Sequence, residues 1–330
     1  MTKARTALSV IIPVYNESEN LRLLYDWLTQ SLQELARSYQ IVFCDDGSQD
    51  GSSQLLEAIA AEDPRVTVVL LRRNFGQTAA ITAGIDHAVG DIIVLMDADL
   101  QNDPGDITKL LAKIEEGYDV VSGWRRDRND PFWTKVLPSR FANGLISWLT
   151  GVKLHDHGCT LKAYRREIIN EFSLYGEMHR FIPLYGHWQG AQVAEVEVRH
   201  HPRKHGRSKY SIAKTFKVLL DLPVLVLLGS YLTRPVHFFG GIGLFSWLVG
   251  IFCITMVAWE KITEPAAKAH RNPFLLLGVF FFLAGLQILM IGLLAEMMTR
   301  VYHESLDKKT YTVRNVINQA EDPPSGQAYD

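Results

Sequence analysis

Asp91-Ile92-Ile93-Val94-Leu95-Met96-Asp97-Ala98-Asp99-Leu100-Gln101 is the stretch that decides how this chain is read. Its apolar run, Ile92–Met96, does not alternate, as in a strand covered on both faces of a parallel sheet. The run stops at two carboxylates, and residues i and i+2 of an extended chain point to one face. Two carboxylates on one face repel unless they hold a cation. Oxygen-only ligands suit Mg²⁺ or Mn²⁺, which also take phosphate oxygens from a substrate. A diphosphate bridged by such an ion is a leaving group whose developing charge is stabilised. D-x-D alone is a weak signal. The apolar strand before it, and a second acidic pair, Asp45-Asp46, at another strand end, strengthen it.

Outward from this stretch, the first 210 residues alternate between two periodicities. Leu8–Val14, Ile41–Cys44, Val66–Leu71, Asp91–Met96 and Val120–Ser122 read as strands. Ser18–Arg37, Ser52–Ala61, Thr78–Ala88 and Ile107–Glu116 read as helices, the first with Leu21, Leu24, Trp27, Leu28, Leu32 and Leu35 at helical spacing. This order predicts an α/β fold, a mostly parallel sheet with helices on both faces. Such sheets bind ligands at the carboxyl ends of their strands. The residues found there are polar: Pro13-Val14-Tyr15-Asn16-Glu17, Asp45-Asp46-Gly47-Ser48, Arg72-Arg73-Asn74-Phe75-Gly76-Gln77, and Asp97 to Gln101. Any one of these could be turn chemistry, since Asp-Gly-Ser suits a turn and a helix cap. Four converging on one edge suggest a site. The first turn lacks the G-x-G-x-x-G of dinucleotide-binding domains, and no G-x-x-x-x-G-K-[ST] occurs, so no glycine cradle holds the phosphates.

The rest of the chain is different in kind. Val236–Trp259 and Phe274–Ala295 carry no formal charge, and each is long enough to span about 30 Å of hydrocarbon. Trp259 suits an interface anchor. The link Glu260–Pro273 is short and polar, so the two read as a hairpin with both chain ends on one side. Lys214, Lys217, Arg234, Arg300, Lys308, Lys309 and Arg314 flank it outside, against Lys261, Lys268 and Arg271 in the link. That bias places the N-terminal domain in the cytoplasm. Ser211–Leu222, with Ile212, Phe216, Leu219 and Leu220 on one face, and Val224–Leu232 read as interfacial helices, to which Phe132-Trp133 could add. Packing of both helices against the sheet domain is the plainer alternative. The tail Gln319–Asp330 is polar and is expected to be disordered. The N-terminus shows no apolar h-region of a signal peptide. The division expected is 1–210 catalytic, 211–234 interfacial, 235–300 a two-span hairpin and 301–330 a cytoplasmic tail.

Composition excludes other classes. With 47% hydrophobic residues the chain is too apolar for disorder, and a net charge of −2 argues against nucleic-acid binding. Cys44, Cys159 and Cys253 are odd in number and far apart, so neither a disulfide framework nor a cysteine zinc site is indicated.

The motifs IIPVYNESENL from Ile11, DDGSQDGS from Asp45, RRNFGQTAAI from Arg72, MDADLQNDP from Met96, DHGCTLKAYRRE from Asp156 and RKHGRSKYS from Arg203 resemble the family 2 glycosyltransferases of GT-A fold. With the two spans they are similar to the branch that uses polyisoprenyl phosphates. The resemblance implies a membrane-bound, inverting transferase that moves a sugar from a nucleotide diphosphate to polyprenyl phosphate, needs Mg²⁺ or Mn²⁺, forms a homo-oligomer and sits in the inner membrane as a multi-pass protein. It implies that Pro13, Tyr15 and Glu17 line the base and ribose, and that Asp46, alone or with Asp45, accepts a base imide N–H. It puts Asp97 at the ribose or sugar and Asp99 and Gln101 at the metal and diphosphate. Arg125, Arg207 and Lys209 would contact phosphates. An imide suits uracil and guanine alike; UDP-glucose is the first expectation, with GDP-mannose and a modified UDP-arabinose as alternatives.

The basic run Arg203–Lys209 suits the joining of two anions, and would equally suit anionic lipid heads. The resemblance places a candidate base at Asp156. A phosphate monoester with a second pKa of about 6 is already mostly dianionic at neutral pH, so Asp156 is expected to position the acceptor rather than deprotonate it. The plainer alternative is a loop carboxylate that orients Arg165 or Arg166. His155 and His157 beside it are a weak metal signal. A processive polysaccharide synthase and a non-catalytic membrane scaffold are the other readings; the first would carry Q-x-x-R-W, which is absent.

Overall fold

The computed structural model describes residues 6–126, 144, 147, 151–152, 154–170, 182–188, 190–202, 235–264, 272–305 and 311–319. Arg207, Lys209, the interfacial segment 211–234 and Phe132-Trp133 lie outside the described residues.

Strands and helices alternate where the periodicity places them. The order is β1 (Leu8–Val14), α1 (Ser18–Glu34), β2 (Tyr39–Asp45), α2 (Ser52–Glu62), β3 (Val66–Leu71), α3 (Gln77–His87), β4 (Ile92–Leu95), α4 (Ile107–Glu115) and β5 (Val120–Trp124). Then follow β6 (Lys162–Arg165), α5 (Arg166–Asn170), α6 (Ile182–Trp188), β7 (Val193–Glu197), α7 (Pro235–Thr263), α8 (Pro273–Ser305) and β8 (Val313–Ile317). The eight strands form one sheet in the order β7-β5-β6-β4-β1-β2-β3-β8. Strand β1 pairs parallel with β2 and β4, β2 with β3, and β5 with β7; β6 and β8 run antiparallel to their neighbours.

All residues of β2 and β3 are buried, which explains their unalternating apolar sequence. Val10, Ile12, Ile41, Phe43, Val68 and Leu70 face the layer of α1, α2 and α4. Ile11, Val42, Cys44, Val69, Ile93 and Leu95 face α3. In α1 the buried leucines Leu21, Leu24, Leu28 and Leu32 form one stripe. Full burial of each contributes roughly 1.5–3 kcal/mol. Chain order reverses at β1, which has β4 on one side and β2 on the other. Ligand-binding crevices open at such a switch point, outside the carboxyl ends of the strands.

The chain divides into two compact units, Met1–Asp221 with Lys309–Asp330, and Leu222–Lys308. This corrects the expectation that everything after 300 is a tail. Val313–Ile317 is the edge strand of the sheet, antiparallel to β3. Asn318 fastens its end: Nδ2 donates to the carbonyls of Ala60 and Val66, and its own carbonyl accepts from Thr67 Oγ1 at 2.9 Å. A five-residue strand far along the chain from its partner has no local signal strong enough to announce it.

In the other unit, α7 and α8 are both long and apolar enough to cross a membrane. They run past the apolar segments, to Thr263 and Ser305. Glycines line their contact. A Cβ on Gly250 would lie 2.6 Å from Phe282 N and 2.8 Å from the Gly278 carbonyl, and one on Gly285 would lie 2.7 Å from the Gly243 carbonyl. Ser246 Oγ adds a hydrogen bond to the Phe281 carbonyl at 2.9 Å.

Candidate active site

The four polar turns at the carboxyl edge are sewn to one another. In the first, Asn16 takes a positive φ of 53°, and its neighbours lend their peptide N–H groups to the second turn. Asn16 N donates to Ser48 Oγ (2.9 Å), Glu17 N to Ser52 Oγ (3.1 Å) and Ser18 N to Asp50 Oδ2 (3.0 Å). The return bond runs from Gln49 N to Asn16 Oδ1 at 2.8 Å. These satisfy donors that the start of α1 leaves open. The run of Asp and Ser residues in the second turn is therefore a set of acceptors for its neighbours.

Asp45 and Asp46 are both buried, at 2% and 3% exposure. Asp45 accepts from Ser48 N at 3.0 Å and from Ser53 Oγ, which fixes its own turn. Asp46 reaches the third turn, where Oδ1 accepts from Phe75 N at 2.7 Å and Oδ2 from Gly76 N at 2.9 Å. Burial pushes the Asp46 carboxyl above its usual range, against the pull of those two N–H groups. Gly47 takes φ 72°, and a Cβ there would lie 2.6 Å from the backbone carbon of Arg73. The second and third turns can approach this closely only because residue 47 has no side chain.

Asp97 and Asp99 lie just past β4, Asp97 in irregular chain and Asp99 in a bend rather than within the strand. The strand argument for their shared face is corrected to that extent. Their placement survives by another route, because Ala98 and Leu100 are buried while Asp97 and Asp99 are half-exposed. Leu100 takes a φ of 60°, strained for a branched residue. Such strain collects at functional sites. Asp97 joins the remaining turns: Oδ1 accepts from Gln77 Nε2 at 2.9 Å and Oδ2 from Thr160 Oγ1 at 2.8 Å. Asp99 Oδ1 accepts from Gln101 N at 3.2 Å.

Among the described residues, no group of three or more His, Cys, Asp or Glu side chains forms a metal cage. Two half-exposed carboxylates nonetheless fit a hard divalent ion that takes its other ligands from water and diphosphate, as Mg²⁺ does. Near them stands a pair of side chains that the motif reading passed over. Gln101 Nε2 lies 3.5 Å from His200 Nε2 and 3.4 Å from the His201 carbonyl. His201 N donates to the Gln101 carbonyl at 2.8 Å, and His201 Nε2 lies 3.1 Å from Asp103 Oδ2. The sequence signal was there in the adjacent His200-His201, but a strand end almost a hundred residues away gave no reason to join it to Gln101.

Pro13, next to last in β1, lines a small cavity with Met96, Asp97, Thr160 and Lys162. Tyr15 stands open, 36% exposed. Glu17 accepts from Asn20 Nδ2 at 2.7 Å.

Arg125 and Asp156 come together, with each other. Arg125 Nε donates to Asp156 Oδ2 at 2.7 Å and Nη2 to Oδ1 at 3.0 Å. Gly158 N adds a bond to Oδ1 at 3.2 Å. The carboxylate is 2% exposed. Its arginine is thus Arg125, not Arg165 or Arg166; those two bond to Asp119 and to the Ala88 carbonyl. From β7, Glu195 accepts from the backbone N of His155 and Asp156, both at 3.0 Å, and lies 2.8 Å from His155 Nδ1. The His155 ring stacks on Trp124 with centroids 4.4 Å apart. His157 is buried, and burial, with the nearby Lys162 charge, lowers its imidazole to about 4.

Comparison with known proteins gives the family and supports the fold. The family described as Glycosyl transferase family 2 matches residues 9–173. A dodecaprenyl-phosphate galacturonate synthase from Rhizobium johnstonii is 39% identical over 317 residues, 94% of this chain and 93% of that protein. An undecaprenyl-phosphate 4-deoxy-4-formamido-L-arabinose transferase from Proteus mirabilis is 36% identical over 323 residues, 96% of this chain and 97% of that protein. The solved glucosyl-3-phosphoglycerate synthase from Mycobacterium tuberculosis, in complex with Mn²⁺, UDP and phosphoglyceric acid, shares the fold. Its TM-score is 0.51 at 19% identity, over 68% of this chain and 78% of that one. With the family match over half its length and relatives this similar from end to end, the chain belongs to glycosyl transferase family 2 and is a glycosyltransferase.

Proposed function

We propose that this membrane glycosyltransferase moves a sugar from a UDP-sugar to polyprenyl phosphate, with inversion at the anomeric carbon. The observation that carries the reading is the joining of all four strand-end turns around Asp97 and Asp99 in a chain that also has two membrane-length helices. A lipid-linked acceptor accounts for the helices, and the relatives named for dodecaprenyl and undecaprenyl phosphate support it.

Each part of the site then has a task. Tyr15, open at the first turn, and Glu17 meet the base and ribose, and Pro13 shapes the wall beneath. Asp45 and Asp46 hold the second and third turns in register, and a base imide N–H would need a second lone pair on one of their engaged oxygens. Asp99, with Asp97 and Gln101, would hold Mg²⁺ or Mn²⁺, which supplies charge stabilisation to the departing diphosphate. An acceptor phosphate oxygen attacks the anomeric carbon from the face opposite the nucleotide. The new bond forms as the bond from carbon to the diphosphate oxygen breaks, and UDP leaves. The acceptor is already a dianion near neutral pH, so no proton acceptor is required. Asp156 suits positioning rather than base catalysis, because both its oxygens are engaged by Arg125. The basic run 203–209, with Arg207 and Lys209, supplies the cations that let two anions meet.

The sugar is the finer question. UDP-glucose was the first expectation from sequence; the relatives' names favour galacturonate or a formamido-arabinose instead. We place galacturonate first. Purified protein in lipid nanodiscs, given labelled UDP-galacturonate, UDP-glucose, a UDP-formamido-arabinose or GDP-mannose with undecaprenyl phosphate and Mg²⁺ or Mn²⁺, tests this. Label in the lipid extract from one UDP-sugar is the expected result. Transfer from GDP-mannose alone overturns the donor reading, and no transfer from any donor overturns the function. A product anomer that matches the donor's, read by NMR, overturns inversion.

A further inference from the structure

Lysine is almost never fully buried unless it is paired, because an ammonium out of water is costly. Among the described residues, Lys162 is the only lysine or arginine that is fully buried, at 2% exposure. It is the first residue of β6, in register with Leu95 of β4 and Ser122 of β5. That position is the sheet edge from which Asp97 and Asp99 emerge. Its Nζ donates to the carbonyl of His157 at 3.2 Å. Its side chain lines the small cavity also walled by Asp97, Gly158 and Thr160.

The carbonyl it holds is at the middle of segment 155–160, and both flanks of that segment carry contacts to the site. On one flank Asp156 engages the Arg125 guanidinium. On the other, Thr160 Oγ1 donates to Asp97 and accepts from Asn102 Nδ2 at 3.1 Å. Glu195 grips the start of the segment from β7. A charged donor makes a hydrogen bond roughly twice as strong as a neutral one. A leucine or methionine would fill the same wall with no desolvation cost, and would leave the His157 carbonyl without this donor.

We propose that Lys162 is a positioning residue of the transfer reaction, whose buried ammonium fixes segment 155–160 so that Thr160 sets Asp97 and Asp156 sets Arg125 for the donor. The inference rests on the transferase reading and adds to it the residue that sets its geometry. Lys162 acts through the segment it holds.

Full-length Lys162→Met and Lys162→Arg in nanodiscs test it beside wild type. Three quantities are read: transfer from the UDP-sugar that wild type accepts, thermal melting, and hydrogen exchange by mass spectrometry. The expected result for Lys162→Met is a melting temperature close to wild type, turnover down at least tenfold and donor KM changed less than threefold. Exchange in 155–160 should rise at least tenfold, with β1 and β4 unchanged. Lys162→Arg should recover turnover in part. Turnover within twofold of wild type in folded Lys162→Met overturns the proposal, and so does unchanged exchange in 155–160. If Lys162→Met does not fold, Lys162→Gln is read by the same criteria. Should wild type transfer no sugar at all, the transferase reading fails, and the exchange result still decides whether Lys162 holds the segment.

Discussion

The sheet unit and the helical hairpin solve opposite packing problems. In the sheet unit the large apolar side chains are inside: Leu21, Leu24, Leu28, Ile12 and Phe43 have essentially no exposure. In the hairpin they are outside, with Phe245 at 71% and Leu276 at 77% exposed, while glycines occupy the contact. Water drives the first arrangement, since burial of apolar surface is the dominant favourable term there. In a lipid environment that drive is absent and helices associate through close backbone approach at small residues, which is the pattern between α7 and α8. Polar side chains follow the same division. The sheet unit buries polar groups at the carboxyl edge, where they tie four turns together, and a second set, Ser9, Gln40 and Thr67, at the opposite ends of its strands; among the described residues the hairpin buries none.

The largest effect that would sharpen this contrast is catalytic. Asp99→Ala should lower transfer by about 10²–10³-fold, the scale of losing one charge-stabilising element, and leave the melting of both units unchanged. Residual turnover above one-tenth of wild type would remove Asp99 from the site. The next pair reverses a size change between the units. Leu28→Ala should destabilise the sheet unit by about 2–5 kcal/mol through a cavity. Gly250→Leu should disrupt the hairpin by about 1–3 kcal/mol or more through overpacking. Chemical denaturation followed by tryptophan fluorescence and by exchange in each unit distinguishes them. A neutral Gly250→Leu would show that close approach at glycine does not hold α7 against α8.

A third test is confined to the sheet unit. His157 is held neutral, with its imidazole lowered to about 4 by burial and by the Lys162 charge. The unfolded chain takes up a proton near the usual value of about 6.5, while the folded chain resists until about 4. Stability is therefore full above that upper value and falls as pH drops towards 4, by about 3 kcal/mol at most. Melting between pH 7 and pH 4.5 should show this, and His157→Gln should flatten it. The smallest effect concerns β8. Tyr311 is buried and donates to Asp86 Oδ2 at 2.5 Å, and the Thr312 carbonyl accepts from Arg72 N at 3.0 Å. Tyr311→Phe should cost about 1 kcal/mol and raise exchange in β3 and β8, with no change in α7 or α8.

Much of this architecture is written locally. The strands and helices from Leu8 to Ser122 follow from periodicities of 2 and 3.6, and the hairpin follows from two runs without charge, because each pattern reports its own burial. The acidic and polar residues at the strand ends were legible as candidates for the same reason: a chain that alternates apolar strands with amphipathic helices must place its turns at the sheet edges. Strands β6, β7 and β8 were not legible. Lys162–Arg165 carries two cations in four residues, β7 is half-exposed, and β8 depends on a partner more than two hundred residues away.

Hydrophobic spacing and residue type act over a few positions, and they alone announce an α/β sheet domain, two apolar helices of membrane-crossing length and the chemistry available at one sheet edge. Tertiary structure decided how that chemistry is joined. It decided that Asp46 holds Phe75 and Gly76, that Asp156 meets Arg125, that Lys162 is buried beneath segment 155–160, and that the chain beyond its second long helix returns to close the sheet. Those are contacts between residues far apart in the chain, and only the folded backbone brings them within hydrogen-bond distance.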